Sequence, residues 1–219
     1  MKGKFILLLL IPIFCIAADT VKLKKNKVAP GVTILLPEDF VAMNDDYIAS
    51  KYPSYRKPLA MYTSPNGKID FGVNTANNLW GNRLEILKSV YKASISNLFL
   101  KVNFLQDTIV TIRKRQFIVF EFVSEQEPKM SYSSKETVKF YTYIMYTVVN
   151  HRIFIFNFTA PYGMMDTWQP QAEIIMKSIK INAGKTMLIK DHTVKEPLKG
   201  KTTKEAILEQ RKNKSLPSK

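Results

Sequence analysis

Thiols and imidazoles are scarce in this chain: its 219 residues include one cysteine and two histidines. A single cysteine excludes a disulfide-stapled scaffold and any multi-cysteine metal or redox centre. Two histidines leave little material for imidazole-centred catalysis. Glycine is sparse as well, at eight residues, and no Gly-rich phosphate loop occurs. There is no G-x-S-x-G elbow, no H-E-x-x-H, no C-x-x-C and no Asp-rich calcium loop. Negative charge is in deficit, since 18 Asp and Glu stand against 33 Lys and Arg, for a formal net charge of +15. Apolar residues, in contrast, are abundant. A hydrophobic fraction of 46%, with 13 Phe and 10 Tyr, excludes a disordered or collagen-like chain and predicts a packed core. The length suits one domain with appendages.

The longest apolar run, Phe5 to Ile16, follows Lys2 and Lys4 and precedes Ala17 and Ala18. Positive, apolar, then small is the order of a secretory signal peptide. The run is too short to span a bilayer, which takes about 20 residues. Residues 1–18 are therefore predicted to be a signal, cleaved near Ala17 or Ala18, and the protein to be exported to a periplasm or secreted. Cys15 could serve as a lipid anchor, but that signal prefers a small residue before the cysteine, and here Ile13 and Phe14 stand there.

The last 38 residues, 182–219, hold ten Lys and Arg against four acids and no aromatic residue. Such a segment cannot bury enough surface to order itself. Residues 19–181 are read as one globular domain and 182–219 as a basic, mostly disordered tail. Thr202 and Glu205 have capping-box spacing, which marks a short helix over about 203–212, marginal on its own.

Within the domain, Val32 to Leu36 reads as a strand, and Asn44-Asp45-Asp46 caps a short helix to about Lys51. Leu59–Thr63 and Lys68–Thr75 flank Ser64-Pro65-Asn66-Gly67, a hairpin turn. Leu84, Leu87, Tyr91, Ile95 and Leu98 form one stripe of a helix over 81–100. Four strands follow, over 107–113, 116–124, 138–149 and 152–160, in an antiparallel meander. Asp166 or Thr167 is expected to cap a last helix to about Ile179, with Pro170 in its first turn. Residues 138–149 place Phe140, Ile144 and Tyr146 on one face and Tyr141, Tyr143 and Met145 on the other. Ile153 and Ile155 likewise oppose Phe154, Phe156 and Phe158. A sheet apolar on both faces needs a cover on each, and the two long helices are the natural covers. The expected fold is α+β, a three-layer α/β/α sandwich around a mainly antiparallel twisted sheet.

Several segments in this order resemble the PsbP-like family. They are Pro37 with Phe40, the 45–52 segment DDYIASKY, the Pro-Asn-Gly hairpin, the FGVN strand over 71–74, and Phe120-Glu121-Phe122. The series continues with Asn157-Phe158-Thr159-Ala160-Pro161 and with Trp168 ahead of Lys177-Ser178-Ile179. The resemblance covers roughly 30–181 and implies the PsbP/Mog-type α/β/α sandwich, here in a bacterial exported member. Plant members are lumenal accessory subunits of the oxygen-evolving photosystem, fold relatives include nuclear Ran-release factors, and many bacterial members are exported. The chain departs from the family at its last hairpins. Arg113-Lys114-Arg115-Gln116 and Asn150-His151-Arg152 stand where Asn-Gly turns are usual.

No set of residues assembles into a catalytic constellation, so the chain is predicted not to be an enzyme and to carry no cofactor or metal. Glu121 is the one acid in an apolar strand, and it is expected to pair with a lysine or a helix end. In a zigzag meander, Arg113, Lys114, Arg115, His151 and Arg152 come to one end of the sheet. They are the candidate contacts for an anionic partner, a protein or an anionic envelope component. Export and a tail without stacking aromatics argue against nucleic acid, whereas the Lys-rich tail suits peripheral contact with a membrane surface. The leading reading is an exported, non-catalytic binding or accessory module. Behind it stand a small-molecule or lipid carrier with a cavity between sheet and helix, and an enzyme of unrecognised type.

Overall fold

The computed structural model describes residues 21–52, 57–126, 137–187 and 189. The signal segment, Cys15 and the helix expected over 203–212 lie outside them. In chain order the elements are β1 (Leu23–Ala29), β2 (Val32–Pro37), β3 (Val41–Ala42), α1 (Asp45–Lys51), β4 (Ala60–Thr63), β5 (Asp70–Asn77) and α2 (Leu84–Leu98). Then come β6 (Lys101–Ile112), β7 (Arg115–Gln126), β8 (Val138–Val149), β9 (Arg152–Pro161), α3 (Met165–Lys177), β10 (Lys180–Ile181) and α4 (Ala183–Thr186).

The meander is the centre of the fold. Strands β6 to β9 pair antiparallel in sequence order, and β5, β4 and β3 extend the sheet beyond β9 to seven strands. Alternation splits the side chains as expected. Phe117, Val119, Tyr141, Met145, Phe154, Phe156 and Phe158 point to one core. Ile118, Phe120, Phe122, Tyr146 and Ile153 point to the other. The chain is an α+β sandwich, but one of its covers is more than a helix. The first core is closed by α3 together with a second sheet, ordered β1-β2-β10. Strand β1 escapes a sequence reading because its pattern, Leu-Lys-Lys-Asn-Lys-Val-Ala, is lysine-rich. Those lysines suit an edge strand, where charge discourages further pairing.

On the opposite face, α2 lies over β6 to β9, with the Tyr91 and Tyr146 rings stacked at 4.0 Å between centroids. The same face carries α1 further along the sheet, packed through Ile48 on Met43 and Met61. Asn44 caps α1 by accepting from the Tyr47 amide at 2.8 Å.

Three boundaries differ from expectation. Helix α2 stops at Leu98, and β6 starts at Lys101 instead of 107. A bulge between Phe104 and Gln106 inverts the alternation in β6. Val102 and Phe104 before it, and Ile109 after it, therefore share one core, which hides the period of two. Helix α3 begins at Met165, two or three residues early, because a 3-10 turn over Tyr162–Met164 runs straight into it; no side chain caps it, and Pro170 lies in its interior. Finally, the described elements continue past 181. Asn182 caps α4, and Ile189 is buried, so these residues belong to the domain and not to a free tail. Gly31 makes that packing possible. Its φ is +75°, and a Cβ there would lie 2.7 Å from the Asn182 carbonyl oxygen.

Asp107 on β6 ties α2 to the sheet, with Lys88 Nζ 3.1 Å from its Oδ1 and Lys92 on its Oδ2. Burial alone would raise the carboxyl pKa; the lysines outweigh it and hold the group below its usual 3.8. A depressed carboxylate contributes stability above its unfolded pKa and loses it as pH falls through the folded value. Asp107→Asn should therefore cost about 1 kcal/mol near neutrality. The difference from wild type should shrink in urea titrations as pH is lowered through and below 3.8.

Candidate functional site

The zigzag does bring the five basic residues to one end of the sheet. Both hairpins close through two-residue turns in which both residues are left-handed: Arg113 (φ 49°) with Lys114 (φ 65°), and Asn150 (φ 49°) with His151 (φ 62°). This geometry fits the strand twist but normally calls for Asn or Gly, and a non-glycine residue there costs of order 1 kcal/mol. The side chains make use of the positions. Arg113 Nη1 donates to the carbonyls of Lys177 and Ile179, each at 3.0 Å, capping the end of α3 where carbonyls lack partners and a cation is favoured. Arg152 Nη1 donates to the Ile189 carbonyl at 3.0 Å and Arg115 Nη1 to that of Val148 at 3.4 Å. Asn150 Nδ2 reaches the Ala183 carbonyl at 2.6 Å and Thr186 Oγ1 at 3.0 Å. Only the side chains of Lys114 and His151 point outward without a partner among the described residues.

Glu121 faces the α3 side of the sheet, and its partners are not lysines. Its Oε1 accepts from the Tyr141 hydroxyl at 2.9 Å and from Gln169 Nε2 at 2.7 Å. Alternation in β7 dictates this, since odd-numbered positions there turn toward α3. Burial and the neighbouring carboxylate push the Tyr143 hydroxyl up to about 12 and Tyr141 higher still. Both tyrosines are neutral donors at any ordinary pH.

The opening lies on the other face. Between α1 and α2 no described element covers the sheet, leaving a cleft of about 920 Å³. Its α2 wall is Tyr91, Ile95, Leu98 and Phe99, and its sheet wall includes Phe122, Phe140, Ile144 and Tyr146. Leu98 and Val138 on its rim are 74% and 41% exposed. A polar row crosses the floor, because register aligns Thr142 with Thr159 and Thr159 with Asp70. At the α1 end Lys51 Nζ bonds both Asp70 oxygens (2.9 and 2.7 Å) and the Gly67 carbonyl (2.7 Å), while the Tyr52 hydroxyl donates to Asp70 Oδ2. Among the described residues, no group of three or more His, Cys, Asp or Glu is placed to hold a metal ion. No sequence signal marked this cleft. Its residues come from six elements and the segments between them, and read singly they look like core.

No family model and no curated protein matches the chain. Solved structures do. The cyanobacterial PsbP of Synechocystis (CyanoP) superposes with a TM-score of 0.54 at 8% identity, over 77% of this chain and 97% of that one. The Ran-binding protein Mog1p of Saccharomyces cerevisiae gives 0.51 at 9% identity, over 78% and 100%. The fold is PsbP/Mog1-like. The resemblance read from the sequence thus holds for architecture. At these identities the PsbP/Mog1-like fold carries no ligand or activity with it.

If the arginines at the hairpin end serve the fold, Arg113→Lys should destabilise by about 1 kcal/mol despite keeping the charge, because the rigid guanidinium that holds Nη1 between the two carbonyls is lost. Lys114→Ser should stay within about 0.5 kcal/mol of wild type. Thermal unfolding of the two variants checks the contrast.

Proposed function

We propose that this chain is an exported, non-catalytic binding module whose ligand site is the cleft between α1 and α2. The observation that carries this reading is the cleft itself. At about 920 Å³ it falls in the range of small-molecule sites, which are concave, mostly apolar and furnished with a few polar groups. The carrier reading, with its cavity between sheet and helix, therefore takes precedence over an anionic partner at the hairpin tips. There three of the five candidate side chains, Arg113, Arg115 and Arg152, donate to the protein's own carbonyls.

The titratable groups of the cleft favour binding over chemistry. Lys51 and Tyr52 both donate hydrogen bonds to Asp70. Burial, and then the Asp70 carboxylate, push the Tyr52 hydroxyl far above its ordinary value, the opposite of an activated nucleophile or base. Export rests on the N-terminal segment, and no described helix is long and apolar enough to cross a membrane. Contact of the Lys-rich tail with a membrane surface concerns residues beyond 189. Mog1p is a Ran-binding protein, which supports binding as a use to which this fold is put.

An environment-sensitive apolar dye should bind the full chain with saturable fluorescence enhancement. Leu98→Glu and Val138→Glu, at exposed rim positions, should each weaken it by tenfold or more without altering circular dichroism. Undiminished binding in both variants would refute the site. Intact-mass analysis of protein recovered from the periplasm of an expressing cell should show a chain beginning at Ala18 or Asp19; retention of Met1 in folded, localised protein would refute export by cleavage.

A further inference from the structure

The cleft is not uniform from end to end, and its asymmetry points to a class of ligand. The α2 end is hydrocarbon, formed by Ile95, Leu98 and Phe99 facing Phe122 and Ile144. The α1 end is cationic. Lys51 is matched by Asp70, but Lys68, one residue past the Gly67 carbonyl that Lys51 holds, also lines the cleft and has no ion-pair partner among the described residues. Its positive charge is left over at the mouth, and among the described residues the cleft lining contains no acid besides Asp70.

Two polar groups on the floor are also unused. Asn157 accepts from the Thr159 hydroxyl at 3.4 Å through Oδ1, which leaves its Nδ2 donors without a partner. The Thr142 hydroxyl likewise has no partner among the described residues. Neither belongs to the side-chain atoms that are both buried and unpartnered; both open into the cleft, where a ligand's oxygen atoms can replace water. Donors on the floor and an unmatched ammonium at the rim call for an acceptor-rich head carrying negative charge. The α2 wall calls for an alkyl chain.

Building on the cleft reading, we infer that the ligand is a single-chain amphiphile with one carboxylate, a fatty acid in chemical class. Its head lies at the Lys68 and Lys51 end, and its chain runs across the sheet toward Leu98 and Phe99. From β5 to β7 the floor crosses three interstrand spacings, roughly 14 Å, so a chain of medium length is held in full.

Isothermal titration calorimetry on the full chain tests this with decanoate, decanol and decyltrimethylammonium, each below its micelle concentration. Decanoate should bind at least tenfold more tightly than decanol, and decyltrimethylammonium least. Lys68→Glu should weaken decanoate roughly tenfold and leave decanol unchanged. Extending octanoate to decanoate should tighten binding by about fourfold per methylene, and Leu98→Glu should abolish that increment. Equal binding of decanoate and decanol, or indifference to Lys68→Glu, overturns the anionic head while leaving the cleft as an apolar site. Failure of all three compounds, or binding that Leu98→Glu does not disturb, overturns the cleft reading together with the inference.

Discussion

A sheet with aromatic and aliphatic side chains on both faces has to be covered twice, and the way this chain solves that constraint shapes the rest of the molecule. Seven strands at about 4.8 Å spacing make a surface nearly 30 Å wide. On one face, α3 and the three-stranded sheet together meet Phe154, Phe156 and Phe158 and leave these rings wholly buried. On the other face the covers are α1 and α2, each some 10 Å across. Two such cylinders are narrower than the sheet. The helices sit toward its two sides, each fastened by a lysine–carboxylate contact, Lys51 to Asp70 and Lys88 with Lys92 to Asp107. The strip between them is the cleft.

The hairpin end shows how charge can mislead when read along a chain. Five basic residues converge there, as strand alternation requires, yet the three arginines donate to backbone carbonyls of the sheet and of the C-terminal segment. Arg113 finishes α3, Arg152 fixes Ile189, and Asn150 holds α4. The left-handed conformation of both turns is what aims Arg113 and Asn150 back onto the body. The backbone strain at these positions is offset by the bonds it permits, and the segment after β10 is held to the domain as a result.

The two readings of function differ in where a partner's charge would go. At the hairpin tips, the guanidinium groups already have acceptors. In the cleft, the Lys68 ammonium, the Asn157 amide nitrogen and the Thr142 hydroxyl have no acceptor among the described residues, beside a hydrocarbon wall that includes side chains exposed to solvent. Unmatched groups next to exposed apolar surface are a stronger indication of a ligand than a count of cations. Glu121, the one acid in an apolar strand, is separated from this site by the thickness of the sheet, since its side chain turns toward Gln169 of α3.

Local signals in the sequence were enough for the elements with a clear period or a strong turn: the meander from β6 to β9, the 64–67 hairpin, the Asn44 cap and the two long helices. The need for two covers, and with it the α+β sandwich, also followed from residue pattern alone, because side-chain direction in a strand is fixed by parity; the likeness to the PsbP group rested separately on an ordered set of short motifs. Parity fails at a bulge, which is why the first six residues of β6 were not legible. It says nothing of a lysine-rich edge strand such as β1, whose pairing depends on β2 being present. The cleft belongs wholly to the tertiary structure. Tyr91, Phe122 and Ile144 read as core in any one-dimensional account, and only the spacing of α1 from α2 over the sheet decides which apolar side chains are buried by protein and which are left to meet a ligand.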